Sequence, residues 1–241
     1  PKNIEVFEHS PIVRLEKEQG GWLLQGEHGS IKTPQLLLGT SIFTREFGFL
    51  KNRLLPVMTF ASWTRPLNDK EMRQYTGLLD WGLTPADHAG TTLRMTADRR
   101  IIIRNTYQHV AKYGNSISDK LRQEIQNDHR KVFLARYPQL VDVPFTHSWG
   151  GTYAISRNFT NFFGQLDDGV FASACDNGVG VAWGTVSGTL LADYVMGATS
   201  QSLDDIQQVT GMPSLNPPEP LLGLGVKSRI KLAKWQSRSE I

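Results

Sequence analysis

One stretch constrains the fold more than any other: Gly169 to Gly197, reading GVFASACDNGVGVAWGTVSGTLLADYVMG. Val170 to Ala174 is a short apolar run of the kind that forms a buried strand. Asp176, Asn177, Gly178 and Gly180 follow as a turn with nearly bare backbone. From Ala182 onward, Val186, Leu190, Leu191, Tyr194 and Val195 give the helix its apolar face, and Gly197 is the expected stop. Strand, bare turn and helix in that order aim free N–H groups and a positive dipole end beyond the strand. Gly184 and Gly188 leave room for the helix to lie close to a sheet. Such a place holds an electron-rich group: a phosphate, a carboxylate or the edge of a heterocyclic ring. The same pattern also serves as an ordinary strand–turn–helix crossover, and this stretch alone does not separate the two.

Composition narrows the class. At 241 residues the chain is long enough for one large or two small domains with a real core. Hydrophobic content of 39% and charged content of 20% are ordinary for a soluble globular protein. A formal charge of +3, with basic residues scattered until Lys227, argues against a dedicated nucleic-acid surface. The single cysteine, Cys175, excludes an internal disulfide and a cysteine metal cluster. It fits a reducing cytoplasm, the expected location. No apolar run approaches the ~20 residues needed to span a bilayer, and no signal-peptide pattern opens the chain. The sequence begins at Pro1 beside a strand pattern and reads as the C-terminal part of something longer.

In chain order, Ile4–Glu8, Ile12–Glu16, Trp22–Gly26 and Ser30–Thr33 are short alternating segments parted by turn signals, which predicts a small antiparallel meander. Gln35–Gly39 is a continuous apolar run ending in small residues, the pattern of a buried parallel strand. Arg53–Pro66 carries substantial residues on both faces and reads as a long strand in a larger sheet. Asn68–Tyr75 is a loop or a two-turn helix. Thr91–Met95 and Arg100–Asn105 flank Thr96–Arg99 as a hairpin. Ser116–Arg136 is a clear helix: Leu121, Ile125, Val132 and Phe133 form its stripe, Ser116 or Ser118 its cap, and Tyr137-Pro138 its stop. Phe145–Ile155 reads as strand around Trp149-Gly150-Gly151. A polar loop follows Gly197, then a Pro-rich passage from Pro213 to Pro220, then a basic tail with Trp235 whose expected form is a solvated or surface-docked helix, the alternative being contact with nucleic acid or anionic lipid.

Most chemistry signatures are missing. The sequence has no GxxxxGK[ST] phosphate loop, no HExxH and no GxSxG elbow. His28, His88, His109, His129 and His147 are widely spaced, so no metal site is expected. Asp167-Asp168 and Asp204-Asp205 read as turn and cap residues. No side chain stands out as catalytic.

The ordered set of segments says more. The meander ending in LLLGTSIFT, then THSWGGTYAISRNFTNFFG, then ASACDNGVGVAWGTVSGTLLADYVMG, then PPEPLLGLGVKSRIKLAKWQ together resemble the C-terminal half or more of FAD-dependent oxidoreductases of the D-amino-acid oxidase type. The branch resembled includes glycine, sarcosine and gamma-glutamylputrescine oxidases. The resemblance covers nearly the whole chain. It implies a mixed α and β fold, in which a partial FAD-binding nucleotide layer joins a mainly antiparallel substrate-domain sheet with helices. The corresponding boundaries are 1–48 and 146–200 for the FAD layer, 49–145 for the substrate domain and 201–241 for a C-terminal tail.

The implied chemistry is hydride removal from the carbon beside an amine nitrogen of a small amine or amino acid, with FAD as the acceptor. Backbone N–H groups around Asn177, Gly178, Val179, Gly180 and Val181 would face the flavin pyrimidine edge. Val13, Thr40 and Ser41 would approach the adenosine half through main chain. The Val57–Asn105 sheet would roof the ring, with Arg104 or Arg94 on a substrate carboxylate and Trp149, Tyr153 and, more weakly, Tyr107 as cavity walls. Cys175 is expected to be a buried structural thiol rather than a covalent flavin link.

Departures from the family pattern bear on this. Val179 stands where many members have His, and Asn158 where many have Asp. No GxGxxG turn occurs in these 241 residues, so the chain on its own is expected to lack FAD. It should also carry an open sheet edge that invites self-association. The alternative is a non-catalytic binding or interaction domain that kept the scaffold and lost the dinucleotide loop.

Overall fold

The computed structural model describes residues 4–75, 77–87, 89–109 and 117–239. Ser116 and His88 lie outside the described residues. The elements run β1 (Ile12–Glu18), β2 (Gly21–Gly26), β3 (Ser30–Thr33), β4 (Leu36–Leu38), β5 (Leu54–Thr64), α1 (Asp69–Tyr75), β6 (Trp81–Leu83), β7 (Thr92–Met95), β8 (Ile101–His109), α2 (Asp119–Arg136), β9 (Phe145–Ser156), β10 (Phe162–Asp167), β11 (Val170–Ala174), α3 (Gly180–Val195), α4 (Gln201–Val209) and α5 (Leu221–Gln236). This is the mixed α and β fold that the sequence predicts. The chain forms two compact units, one from 1–55 with 154–216 and one from 56–153 with 217–241.

The first unit holds two three-stranded sheets. β1, β2 and β3 form the antiparallel meander, with Leu24 opposite Leu15 on one side and Ile31 on the other. Ile4 to Glu8, expected as a further strand, forms none; Ile4, Val6 and Phe7 lie exposed, with no neighbouring ladder to hold them. The second sheet has the order β10-β11-β4. β4 and β11 are parallel, with Val170, Phe171 and Ala172 opposite Leu36, Leu37 and Leu38. Ala172 and Val170 are fully buried because helices cover this sheet.

Helix α3 packs its Leu190 and Leu191 with Phe163, Leu203 and Ile206, and Phe171 and Tyr194 close over them. Leu203 and Ile206 belong to α4, where a loop is expected from sequence. Leu203, Ile206 and Val209 in SLDDIQQV, each three apart, are too narrow a stripe to announce a helix alone. Tertiary contact with α3 completes it, and Ser200 caps it by accepting from the Leu203 N–H.

The second unit is a five-stranded sheet of order β6-β7-β8-β5-β9, its paired strands antiparallel in β6–β7, β7–β8 and β8–β5. Helix α2 covers one face. Its Val132 and Phe133 pack with Leu93, Met95, Ile101, Ile103, Leu140 and Val143. Deleting a fully buried side chain such as Phe133 costs about 3–5 kcal/mol. Ser118 caps α2 through the Leu121 N–H, and Tyr137-Pro138 ends it. Asn68 and Glu71 form a reciprocal capping box at α1, each side chain accepting from the other's backbone N–H. Arg65 grips the same Glu71 carboxylate with both guanidinium arms, at 2.6 and 2.7 Å, and holds its pKa below the usual range.

Candidate functional site

In the first unit the parallel strands β4 and β11 end beside one another, and the chain from each turns away at the same edge. An open-sided cleft of about 260 Å³ lies there. Leu38, Gly39 and Ser41 line it from the end of β4, Ala174 and Asp176 from the end of β11, and Trp183, Gly184 and Gly188 from α3. This is the crevice outside the carboxyl ends of parallel strands where α/β sheets bind ligands.

The turn from Cys175 to Gly178 is held in a costly conformation. Cys175, Asn177 and Gly178 have φ of 66, 50 and 91 degrees, so two residues with side chains sit in left-handed backbone. The restraints come from residues 154–161. Ser156 N–H donates to Asn177 Oδ1 at 2.9 Å, and the Asn177 N–H donates to the Ala154 carbonyl at 3.1 Å. Asn161 Nδ2 donates to the Cys175 carbonyl at 2.6 Å. Cys175 itself is fully buried, as expected from sequence, and burial pushes its thiol pKa up to about 12.

Helix α3 then starts without a side-chain cap, because Val179 occupies the cap position and has nothing to offer. Its first N–H groups and dipole end are therefore left for something else. Three polar atoms around the turn are buried without a hydrogen bond: Ser41 Oγ, Asn177 Nδ2 and Trp183 Nε1. Buried polar atoms of this kind point to a missing partner.

Asp176 is a site residue that sequence reading treats only as part of the turn. Its Oδ1 accepts from the Gly178 N–H at 3.0 Å, and Oδ2 lies 3.1 Å from where a Cβ on Gly180 would stand. Burial raises its pKa, while the Gly178 N–H opposes the rise. The Ser41 hydroxyl also favours the charged form, though it lies outside hydrogen-bonding geometry. No Lys or Arg lines the cleft. The donor set therefore suits the electron-rich edge of a neutral ring and does not suit a diphosphate.

Of the residues expected at a cofactor, Ser41 and Gly180 line the cleft, and Asn177, Gly178, Val179 and Val181 belong to the same turn and helix start. Thr40 adjoins Ser41, its hydroxyl 2.9 Å from that of Thr44. Val13 is elsewhere: it lies exposed at an irregularity of β1, in the meander sheet, and does not line the cleft. Asn158 has a local task, accepting from the Ser214 N–H at 3.0 Å.

The residues expected at a substrate belong to the second unit. Ile101 and Ile103 point to the core under α2, so Ile102 and Arg104 lie on the other sheet face. Arg104 donates to Thr92 Oγ1 at 2.7 Å and stands 5.5 Å from the Tyr107 ring centre. Trp149 shares this face: it is 43% exposed and meets Trp63 edge-on, with ring centres 5.4 Å apart. Gly150 points the opposite way, toward Met58 and Phe60, so the alternation of β9 brings Tyr153 round to the Trp149 face. Arg100 stacks on Trp63 at 5.1 Å. Arginine and aromatic side chains thus share one face of the five-stranded sheet.

On the α2 face the sheet holds a buried polar chain. Ser148 Oγ lies 2.7 Å from Ser62 Oγ, which lies 2.8 Å from His129 Nδ1. Gln126 donates to Ser148 at 3.0 Å. His129 is fully buried, and burial lowers its pKa to about 4, so it is neutral and structural. Among the described residues no cluster of His, Cys, Asp or Glu could hold a metal ion.

Known proteins resemble this chain in sequence and in fold. The model of the DAO family, FAD dependent oxidoreductase, matches residues 2–194. A probable oxidoreductase OrdL of Haemophilus influenzae is 23% identical over 202 residues, which is 80% of this chain and 43% of that protein. Glycine oxidase from Geobacillus kaustophilus superposes with a TM-score of 0.65 at 14% identity, over 81% of this chain and 50% of its own. Amadoriase I, a fructosyl amine:oxygen oxidoreductase from Aspergillus fumigatus, gives 0.61 at 16% identity, over 81% of this chain and 47% of its own. The chain spans about half the length of these relatives. By the extent of the family match, the chain belongs to the DAO family of FAD-dependent oxidoreductases.

Proposed function

We propose that this chain carries the flavin-edge turn and the substrate sheet of an enzyme that oxidises the carbon–nitrogen bond of a small amine or amino acid by hydride transfer to FAD. The observation that carries the reading is the start of α3. An uncapped helix N-terminus emerges from a strained turn at the carboxyl ends of two parallel strands, with unpartnered buried donors beside it. Bound FAD supplies a hydride acceptor whose pyrimidine edge gains negative charge. The N–H groups at Gly180 and Val181 would hold that edge, and the dipole of α3 favours the added charge. The bonds from Ser156 and Asn161 hold these donors in place before any ligand arrives.

On the sheet face, Arg104 has guanidinium donors beyond the one on Thr92, enough to pair with a carboxylate. Trp149 and Tyr153 would wall an apolar cavity and exclude water. Glycine oxidase and the fructosyl amine oxidoreductase are named for an amino acid and an amine, which supports the same substrate class here.

The test is an absorption spectrum of the natural polypeptide, followed by anaerobic addition of glycine, sarcosine, proline and simple amines. A flavin spectrum that bleaches with one of these supports the reading. A colourless natural polypeptide, or a flavin that none of them reduces, overturns it, and the colourless case favours a binding domain.

A further inference from the structure

Helix α5 in the second unit has two apolar stripes, and only one is used. Leu222, Val226, Ile230 and Ala233 are half-buried on the side that packs against β8. On the opposite side, Leu221, Leu224, Leu232 and Trp235 follow helical spacing. They are 62%, 62%, 45% and 61% exposed. No residue of this helix is fully buried. Water-facing leucines in register with a tryptophan are not what a solvated helix face carries.

The charge along the helix is of one sign, with Glu219 just before it accepting from the Gly223 N–H. Lys227, Arg229, Lys231, Lys234 and Arg238 lie in or directly after the helix, and no Asp or Glu occurs from Leu221 to Ser239. None of the five forms an ion pair among the described residues. The Arg238 guanidinium sits 5.2 Å from the Trp235 ring centre, an arrangement that lets the ring sink while the charge stays at the surface.

We propose that the outer face of α5 docks on an anionic phospholipid surface, lying in the interface plane. The complement of the four exposed cations, Lys227, Arg229, Lys231 and Arg238, is a sheet of lipid phosphates and carboxylates, and the complement of three leucines and a tryptophan is the boundary of the acyl chains. Tryptophan is the residue suited to that boundary, with an apolar body and one N–H donor. A nucleic acid would match the charge but leave three leucines against water, since base stacking uses aromatic faces and only Trp235 supplies one. Among the described residues no helix is long and apolar enough to cross a membrane; a single interfacial helix of this kind attaches peripherally and reversibly. It is independent of the reaction proposed above.

The test is vesicle flotation of the full chain with phosphatidylcholine alone and with about 30% phosphatidylserine, over a range of salt. The chain should float with the anionic vesicles at low salt and stay behind with the neutral ones. Salt of about 0.5 M should release it. Lys227→Glu with Lys231→Glu, and separately Leu224→Ser with Leu232→Ser, should each lower the bound fraction about tenfold or more, with unchanged circular dichroism. No flotation with anionic vesicles at low salt overturns the proposal, as does equal binding to neutral vesicles. Release from the vesicles by a short single-stranded oligonucleotide at equal phosphate concentration overturns it in favour of nucleic acid. The wild-type lipid and salt series decides even if a variant fails to fold.

Discussion

Asn177 and Ser156 are joined by a 2.9 Å hydrogen bond in which the Ser156 N–H donates to Asn177 Oδ1. The residue that accepts it is itself in left-handed backbone, φ 50 degrees. Asparagine answers both demands at once, since it tolerates that conformation better than most residues and offers a carbonyl. Two variants separate the demands. Asn177→Gly keeps the backbone and loses the bond, and should destabilise the chain by about 1–2 kcal/mol in denaturant titrations. Asn177→Ala loses both and should cost about 1 kcal/mol more. Equal midpoints for the two variants would remove the conformational part of the argument.

Gly180 faces Asp176 as well as the cleft. A Cβ at this position stands 3.1 Å from Asp176 Oδ2 and 3.3 Å from its Cγ, tight but on a side chain that can swing. Gly180→Val should therefore cost the fold little, about 1–2 kcal/mol. In the natural polypeptide it should lower flavin retention at least tenfold, because the valine covers the helix-start donors. Full flavin occupancy and unchanged turnover in that variant would remove the turn from the site.

His129 makes stability depend on acidity. Its pKa is about 4 in the folded chain against 6.5 when unfolded, with burial as the main cause. Between these values the unfolded chain binds the proton and the folded chain does not, so stability falls as pH drops from about 6.5 toward 4. The contribution at stake is up to roughly 3 kcal/mol. His129→Gln should flatten that part of the pH–stability curve, at some cost in stability near neutrality. An unaltered slope would show that other groups carry it.

Arg104 should separate binding from turnover. If it pairs with a substrate carboxylate, Arg104→Ala in the natural polypeptide raises KM for an amino acid about 10–100-fold. An amine without a carboxylate should be nearly unaffected. Equal effects on both substrates would assign Arg104 to the sheet alone, through its bond to Thr92.

Flavin retention by these 241 residues should be poor. The cleft lacks a cation and Asp176 adds a carboxylate, so a diphosphate finds no counter-charge there. Losing charge-assisted bonds of about 1.5–3 kcal/mol each outweighs contacts at the ring edge. Stoichiometric flavin absorbance in the purified chain at micromolar concentration would contradict this.

The local grammar of the sequence determined the elements that announce themselves. Alternation and turn residues set the β1–β3 meander, and continuous apolar runs marked β4 and β11 as buried strands, which the fold then pairs in parallel. A stripe with a serine cap set α2, and Gly197, at φ 72 degrees, ended the helix that began at the bare turn. Helix α4 was hidden because its two buried residues become a core only when α3 lies beside them. Asp176 was hidden for a similar reason: a carboxylate in a turn becomes a site residue only when folding points it at Gly178 and Gly180. The outer stripe of α5 was legible as spacing but not as surface. Its two apolar sides look alike in sequence, and packing against β8 used only one of them. Periodicity fixes which residues share a face; only the assembled neighbours decide which face is covered.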